Sequence, residues 1–154
     1  MNRIHIMLII PGALFLCGCV PKIRMTVETR DGQGGVIERA DVTSTDTSGR
    51  TFRASGNGTV GLTALAEDRD GLQALHFEGG FSCNTSSGGI GTVQQGDYSG
   101  YDPNLPGQHP TSETFYHELV VHCAGGTYSA NIRACATNAK NGSTCTTNAT
   151  LHAP

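Results

Sequence analysis

A chain of 154 residues is long enough for one hydrophobic core and hardly for two. Its 21 glycines, lack of tryptophan and charged share of only 15%, with Ser, Thr and Asn crowding the second half, favour strands and turns over helices. Ten Lys and Arg against 13 Asp and Glu give a formal charge of -3. No basic cluster is present to neutralise a run of phosphates, so nucleic acid is not an expected partner.

In chain order the first feature is Ile6 to Leu16, IMLIIPGALFL, apolar throughout, preceded by a short head carrying Arg3 and broken at Pro11-Gly12. It falls far short of the roughly 20 residues that cross a bilayer as a helix, so it reads as the apolar region of a secretory signal peptide. A buried N-terminal strand or helix is the alternative. The run ends at Leu16-Cys17-Gly18-Cys19, which resembles the lipobox of bacterial lipoproteins: a Leu, a variable residue, a small residue, then the modified Cys. Cys19 is the matching position. Cleavage before Cys17 would put bulky Leu16 where that family's signal peptidase keeps a small residue.

The resemblance covers the first 19 residues. It implies a signal peptide over 1–18, a diacylglyceryl thioether on Cys19, and usually a third acyl chain on the new amino group. A short tether, 19–21, then leads into a domain over 22–154. Each buried methylene contributes about 0.8 kcal/mol, and two chains already hold stably, so the membrane is one expected partner. In that family Val20, rather than Asp, after the lipidated Cys points to the outer membrane, facing the periplasm or the surface.

With Cys17 discarded and Cys19 lipidated, Cys83, Cys123, Cys135 and Cys145 remain. An even number in an oxidising compartment reads as two disulfides. None of the four has a close neighbour at metal-site spacing, so zinc is disfavoured.

KIRMTVETR, Lys22 to Arg30, sets Ile23, Met25 and Val27 on one side and Lys22, Arg24, Thr26 and Glu28 on the other, the alternation of a half-buried strand. DGQGG turns the chain into a second strand, Val36 to Val42; a short extended piece follows around Thr51 to Arg53, before the Gly56-Asn57-Gly58 turn. In Thr59 to Cys83, Val60, Leu62, Ala64 and Ala66 share a face; after the acidic turn EDRDG, Leu75, Phe77, Phe81 and Cys83 share another. Two strands joined by that turn fit better than a helix. Ala66, Asp68, Asp70, Gly71 and Leu72 resemble the A-x-D-x-D-G turn of bacterial immunoglobulin-like domains, over about 25 residues. The chain lacks the buried Trp and the Cys spacing of antibody domains.

Asn84 to Thr111 is a Gly, Ser, Pro and Gln-rich interval in which GIGTVQQ supplies at most a short strand. SETFYHELVVHC and TYSANIRACA then read as a hairpin around Ala124-Gly125-Gly126. AKNGST carries an Asn-Gly turn into a last strand around Thr144 to His152. Seven to eight strands without a helix predict an all-β fold, a two-layer antiparallel immunoglobulin-like sandwich. Parity favours Cys83 with Cys123 inside it and Cys135 with Cys145 across the final hairpin; two other pairings stay open.

The chemistry-bearing patterns are few. His117-Glu118-Leu119-Val120-Val121-His122 has one residue too many for H-E-x-x-H, and residues five apart on a strand face opposite ways. One histidine is expected near the core and one at the surface. Glu67, Asp68 and Asp70 are weak calcium candidates, because calcium wants about six to eight oxygens; a solvated acidic hairpin turn is the plainer reading. Gly96-Asp97-Tyr98-Ser99-Gly100 places its serine one position late for a nucleophile elbow. No metal or other cofactor is expected.

Tyr98, Tyr101, His109 and Tyr116 form a candidate binding loop, since tyrosines on a loop give amphipathic contact area at low entropy cost. A surface loop whose tyrosines cap the core is the alternative. Together these readings predict a non-catalytic, lipid-anchored envelope protein that binds a protein or glycan or serves as an assembly part. The alternative is an anchored inhibitor of a foreign hydrolase such as lysozyme. An enzyme would need His117 or His122 beside a carboxylate in a pocket.

Overall fold

The computed structural model describes residues 20–85, 90–91, 109–123 and 126–153. Residues 1–19, Cys19 among them, and Tyr98 and Tyr101 lie outside the described residues. None of the described residues is helical. The strands are β1 (Lys22–Arg30), β2 (Val36–Thr43), β3 (Arg50–Arg53), β4 (Asn57–Glu67), β5 (Leu72–Thr85), β6 (Ile90–Gly91), β7 (Ser112–His122), β8 (Gly126–Asn138), β9 (Ser143–Cys145) and β10 (Ala149–Ala153). The excess over the expected seven to eight is made by β6 and β9, pieces of two and three residues.

The strands form a two-layer sandwich. One sheet runs β2-β1-β4-β7; the other runs β3-β10-β8-β5-β6, with β9 also beside β8. All pairs are antiparallel except β3 with β10, which is parallel. Alternation decides which face is buried. Ile23, Met25 and Val27 of β1, Val60, Leu62, Ala64 and Ala66 of β4, and Leu119 and Val121 of β7 point inward from the first sheet. They meet Phe52, Leu75, Phe77, Tyr128, Ala130, Ile132, Ala134 and Leu151 from the second. The first sheet's inner face is mostly aliphatic, and the second's sets the bulky Phe52, Phe77 and Tyr128 among alanines; together they form one core.

Two expected hairpins are instead crossings between sheets. β4 and β5, on either side of EDRDG, lie in different sheets, and so do β7 and β8. A hairpin and an inter-sheet arch bury the same alternating positions, so parity could not separate them. The expected last strand is also interrupted. β9 aligns Cys145 with Cys135, whereas β10 aligns Ala149 with Ile132, which inserts one extra residue on the last strand, as a bulge does. Thr146 keeps the ladder going there, its N–H donating to Ala134 O at 2.9 Å and its Oγ1 accepting from Ala134 N at 3.1 Å.

The sandwich is fastened along its sides by different means. On the β2 and β3 side, buried Thr29 donates from Oγ1 to Arg53 O at 2.7 Å. There too, Glu38 accepts from Arg53 N at 3.0 Å, and Thr147 N donates to Thr43 O at 3.1 Å. On the opposite side the Phe77 and Phe115 rings stack with centroids 5.3 Å apart, and Cys83 of β5 is disulfide-bonded to Cys123, just past β7, with Cα atoms 5.7 Å apart. That bond joins the two sheets. The second disulfide, Cys135–Cys145, links register partners on β8 and β9. Both pairings are those favoured by parity.

The sequence separations are 40 and 10 residues, so loop closure assigns about 4 kcal/mol to the first bond and about 3 kcal/mol to the second. Urea unfolding of Cys83→Ala/Cys123→Ala and of Cys135→Ala/Cys145→Ala should show the larger loss in the first. The reverse order would mean that loop closure does not govern these bonds.

Candidate functional site

The acidic turn is a structural joint. Asp68 is buried: its Oδ1 accepts from Asp70 N at 2.7 Å and its Oδ2 from the Asn138 side-chain amide at 3.1 Å. Asn138, fully buried at the end of β8, in turn accepts at Oδ1 from Lys140 N and Gly142 N at 3.1 and 2.7 Å. Asp70 pairs with Lys140 Nζ at 2.9 Å. The expected solvated hairpin turn is therefore corrected: the arch is plugged by a buried polar pair, since an unsatisfied carboxylate there would be costly. Glu67, at the end of β4, opposes Lys22 and Ser112 in the ladders, and among the described residues these three carboxylates do not form a cluster of convergent metal ligands.

Gly71 closes this turn with φ 84°, a conformation favoured for glycine. A Cβ there would also collide with His109. His109 lies with Nδ1 3.3 Å from Leu72 O, and its neighbour Pro110 accepts from Leu72 N at 2.8 Å. Tyr116 sits elsewhere, on the outer face of the first sheet. Its ring covers Gly61 and its hydroxyl donates to Glu118 Oε2 at 3.0 Å. Burial, then the Glu118 carboxylate, push that hydroxyl's pKa up. His109 and Tyr116 thus do not converge: Tyr116 opposes Thr63, while Ser112, nearer the arch, opposes Glu67, about 13 Å along the strand.

The two histidines of HELVVH separate as strand geometry requires. His122 is exposed, and His117 lines a small notch between the sheets with Leu62, Phe77, Leu119 and Ile132. The notch holds about 20 Å³, room for about one water. Glu78 also lines it, but its carboxylate is engaged elsewhere.

A cluster that sequence reading missed lies on the outer face of the second sheet. His76 Nε2 is 3.0 Å from Glu78 Oε1, and Glu78 Oε2 pairs with Arg133 NH2 at 2.6 Å. The ladder sets His76 opposite Cys135 and Glu78 opposite Arg133. The ligand atoms of His76, Glu78 and Cys135 lie within 4.8 Å of one another. The bond to His76, then the one to Arg133, hold the Glu78 carboxyl below its ordinary value. His76 and Glu78, two apart on one strand, were the only signal in the sequence; their partners lie more than fifty residues on.

Neither the protein-family models nor the curated proteins compared with this chain match it.

Three outcomes follow from this geometry. Asp68→Ala strips the partner from Asn138 and from Asp70 N, so unfolding free energy should fall by about 1–3 kcal/mol; an unchanged urea midpoint would remove the joint. Millimolar calcium should leave the melting temperature unchanged, and a rise would reinstate the three carboxylates as ligands. For Glu78 the sign follows from its lowered pKa: its ionised form stabilises the fold above the ordinary carboxyl range, and the contribution is lost as pH falls through the folded value. The gap between wild type and Glu78→Gln, under about 1 kcal/mol for so exposed a pair, should close on acidification from pH 7 to pH 3. A gap independent of pH would contradict the assignment.

Proposed function

We propose that this chain is a lipid-anchored protein of the bacterial cell envelope with a non-catalytic binding or structural role. The observation that carries the reading is a spacing. β1 begins at Lys22, so only Val20 and Pro21 separate the sandwich from Cys19, the residue that matches the lipobox. Two residues reach at most about 7 Å, which would hold the domain close against the bilayer that receives the acyl chains.

The tether also sets an orientation. Lys22 opposes Glu67, and a surface depression there is lined by Val20, Lys22, Glu67, Asp68, Arg69 and Thr111, so the acidic joint would face the membrane. The opposite end, with the β1–β2 turn, Asn57 and the Cys83–Cys123 bond, would face outward. β5 delivers the Asn84 to Thr111 interval from that outward end, where Thr85 opposes Gly126. Tyr98 and Tyr101 in that interval are the proposed contact residues for a protein or glycan. Two disulfides fit an oxidising compartment, and His117 faces a notch too small for a substrate.

Fractionation of bacteria expressing the full chain tests the anchor. Wild type should be recovered from membranes, with an intact mass that starts at Cys19 and carries three acyl chains; Cys19→Ala should lose the acylation and the membrane association. A membrane-independent protein starting at Met1 would overturn the proposal. Adding the soluble domain to a lysozyme assay should leave turnover unchanged, and stoichiometric inhibition would instead favour the hydrolase-inhibitor reading.

A further inference from the structure

Three observations on the outer face of the second sheet belong together. First, His76, Glu78 and Cys135 each bring one nitrogen, oxygen or sulfur ligand atom to within 4.8 Å of the other two. Second, Cys145 is bonded to Cys135, so a second sulfur stands beside the first. Third, Arg133 holds Glu78 Oε2 and leaves Oε1 turned toward His76, as an outer-shell partner orients a carboxylate ligand. As long as the disulfide is intact, both sulfurs are poor ligands, because the thiolate is the metal-binding form.

We propose that reduction of Cys135–Cys145 unmasks a zinc site whose ligands are His76 Nε2, Glu78 Oε1 and the sulfurs of Cys135 and Cys145. Two sulfurs, one imidazole and one carboxylate are a four-ligand set of the kind tetrahedral Zn²⁺ takes. The step balances with a dithiol as reductant. Thiol–disulfide exchange passes two electrons and two protons to Cys135 and Cys145 while the dithiol closes to its own disulfide. Zn²⁺ then displaces the two thiol protons to solvent.

The geometry survives the loss of the covalent bond for a physical reason. The β8–β9 pairing continues through Ala136 with Thr144 and Thr137 with Ser143, and Asn138 caps the hairpin turn through Lys140 N and Gly142 N. His76 and Glu78 sit on β5, which pairs with β8 along its whole length. The side chains of His76 and Glu78 are partly exposed, at 29% and 38%, so an ion reaches them from solvent.

The test titrates Zn²⁺ into the full chain, oxidised and after treatment with a phosphine reductant, against a chromophoric chelator, with strand circular dichroism recorded throughout. The reduced protein should bind one equivalent at least about 100-fold more tightly than the oxidised protein. Co²⁺ in its place should give the absorption of a tetrahedral ion with thiolate ligands. His76→Ala should weaken binding by about 10-fold or more and keep the circular dichroism. Cys83→Ser/Cys123→Ser and Cys17→Ser/Cys19→Ser should each bind as wild type with the circular dichroism kept, because they remove the chain's other four thiols. Equal zinc affinity in both redox states, full affinity in His76→Ala, or binding that disappears with Cys83 and Cys123 while the circular dichroism is kept would each overturn the proposal.

Discussion

One buried contact, the carboxylate of Asp68 against the amide of Asn138, organises the end of the sandwich where β1 begins. Three chain crossings meet there. The arch from β4 to β5 is closed by Gly71 N donating to Asp68 O at 3.1 Å. The segment entering β7 is held by Asp68 N to Thr111 O and Leu72 N to Pro110 O, at 3.0 and 2.8 Å. The β8–β9 hairpin is tied in by Ala139 N to Gly71 O at 2.9 Å. A two-sheet fold has backbone polar groups at every crossing, and each must find a partner where water is excluded. At this end part of that demand is met by side chains: Asp68 accepts from Asp70 N, and Asn138 from Lys140 N and Gly142 N.

The remaining sides are fastened according to what the sheets present there. Along β2 and β3 the edges are bridged by Thr29, Glu38 and Thr147 through hydrogen bonds to backbone. Along β5 and β7 the fastening is apolar and covalent, through Phe77 on Phe115 and Cys83 to Cys123. Between them lies a core without tryptophan, where the fully buried ring of Tyr128 and the ring of Phe52 are the large pieces set among alanines. Burial pushes the Tyr128 hydroxyl's pKa well above its ordinary value, and that group remains neutral at any physiological pH.

Much of this was legible in the sequence, and what was not has a definite cause. β1 matches its expected bounds at Lys22 and Arg30, because alternation is strict there and turn residues flank it. The inward sets of β1 and β4 and both disulfide pairings were read from the same period of two. Parity reports which face is buried, however, and says nothing about which strand lies alongside. Hence EDRDG and the Ala124 to Gly126 turn read as hairpins although the strands they connect pack in opposite sheets. The parallel β3–β10 pair had no local signal either, since Arg50 and Ala149 are brought together only by the closing of the sheet. Among the candidate residues, Asp68 was singled out for its charge, but its burial depends on Asn138, seventy residues on. Tyr116 was grouped with a loop by proximity in sequence, whereas its place on β7 sets its ring over Gly61.

The two disulfides differ in what they hold, and this follows from the strand order alone. Cys83–Cys123 joins two sheets that share no backbone ladder, so side-chain packing is what otherwise keeps those layers together at that end. Cys135–Cys145 joins strands already paired by a hairpin ladder and capped by Asn138. Opening the second leaves its two strands paired by their ladder, whereas opening the first removes the only disulfide between the layers among the described residues. A bond whose loss leaves its surroundings in place can take part in chemistry without unfolding the domain. Among the described residues, the outer face of the second sheet, where imidazole, carboxylate and guanidinium lie beside that bond, is therefore where a reactive group and a rigid frame coincide.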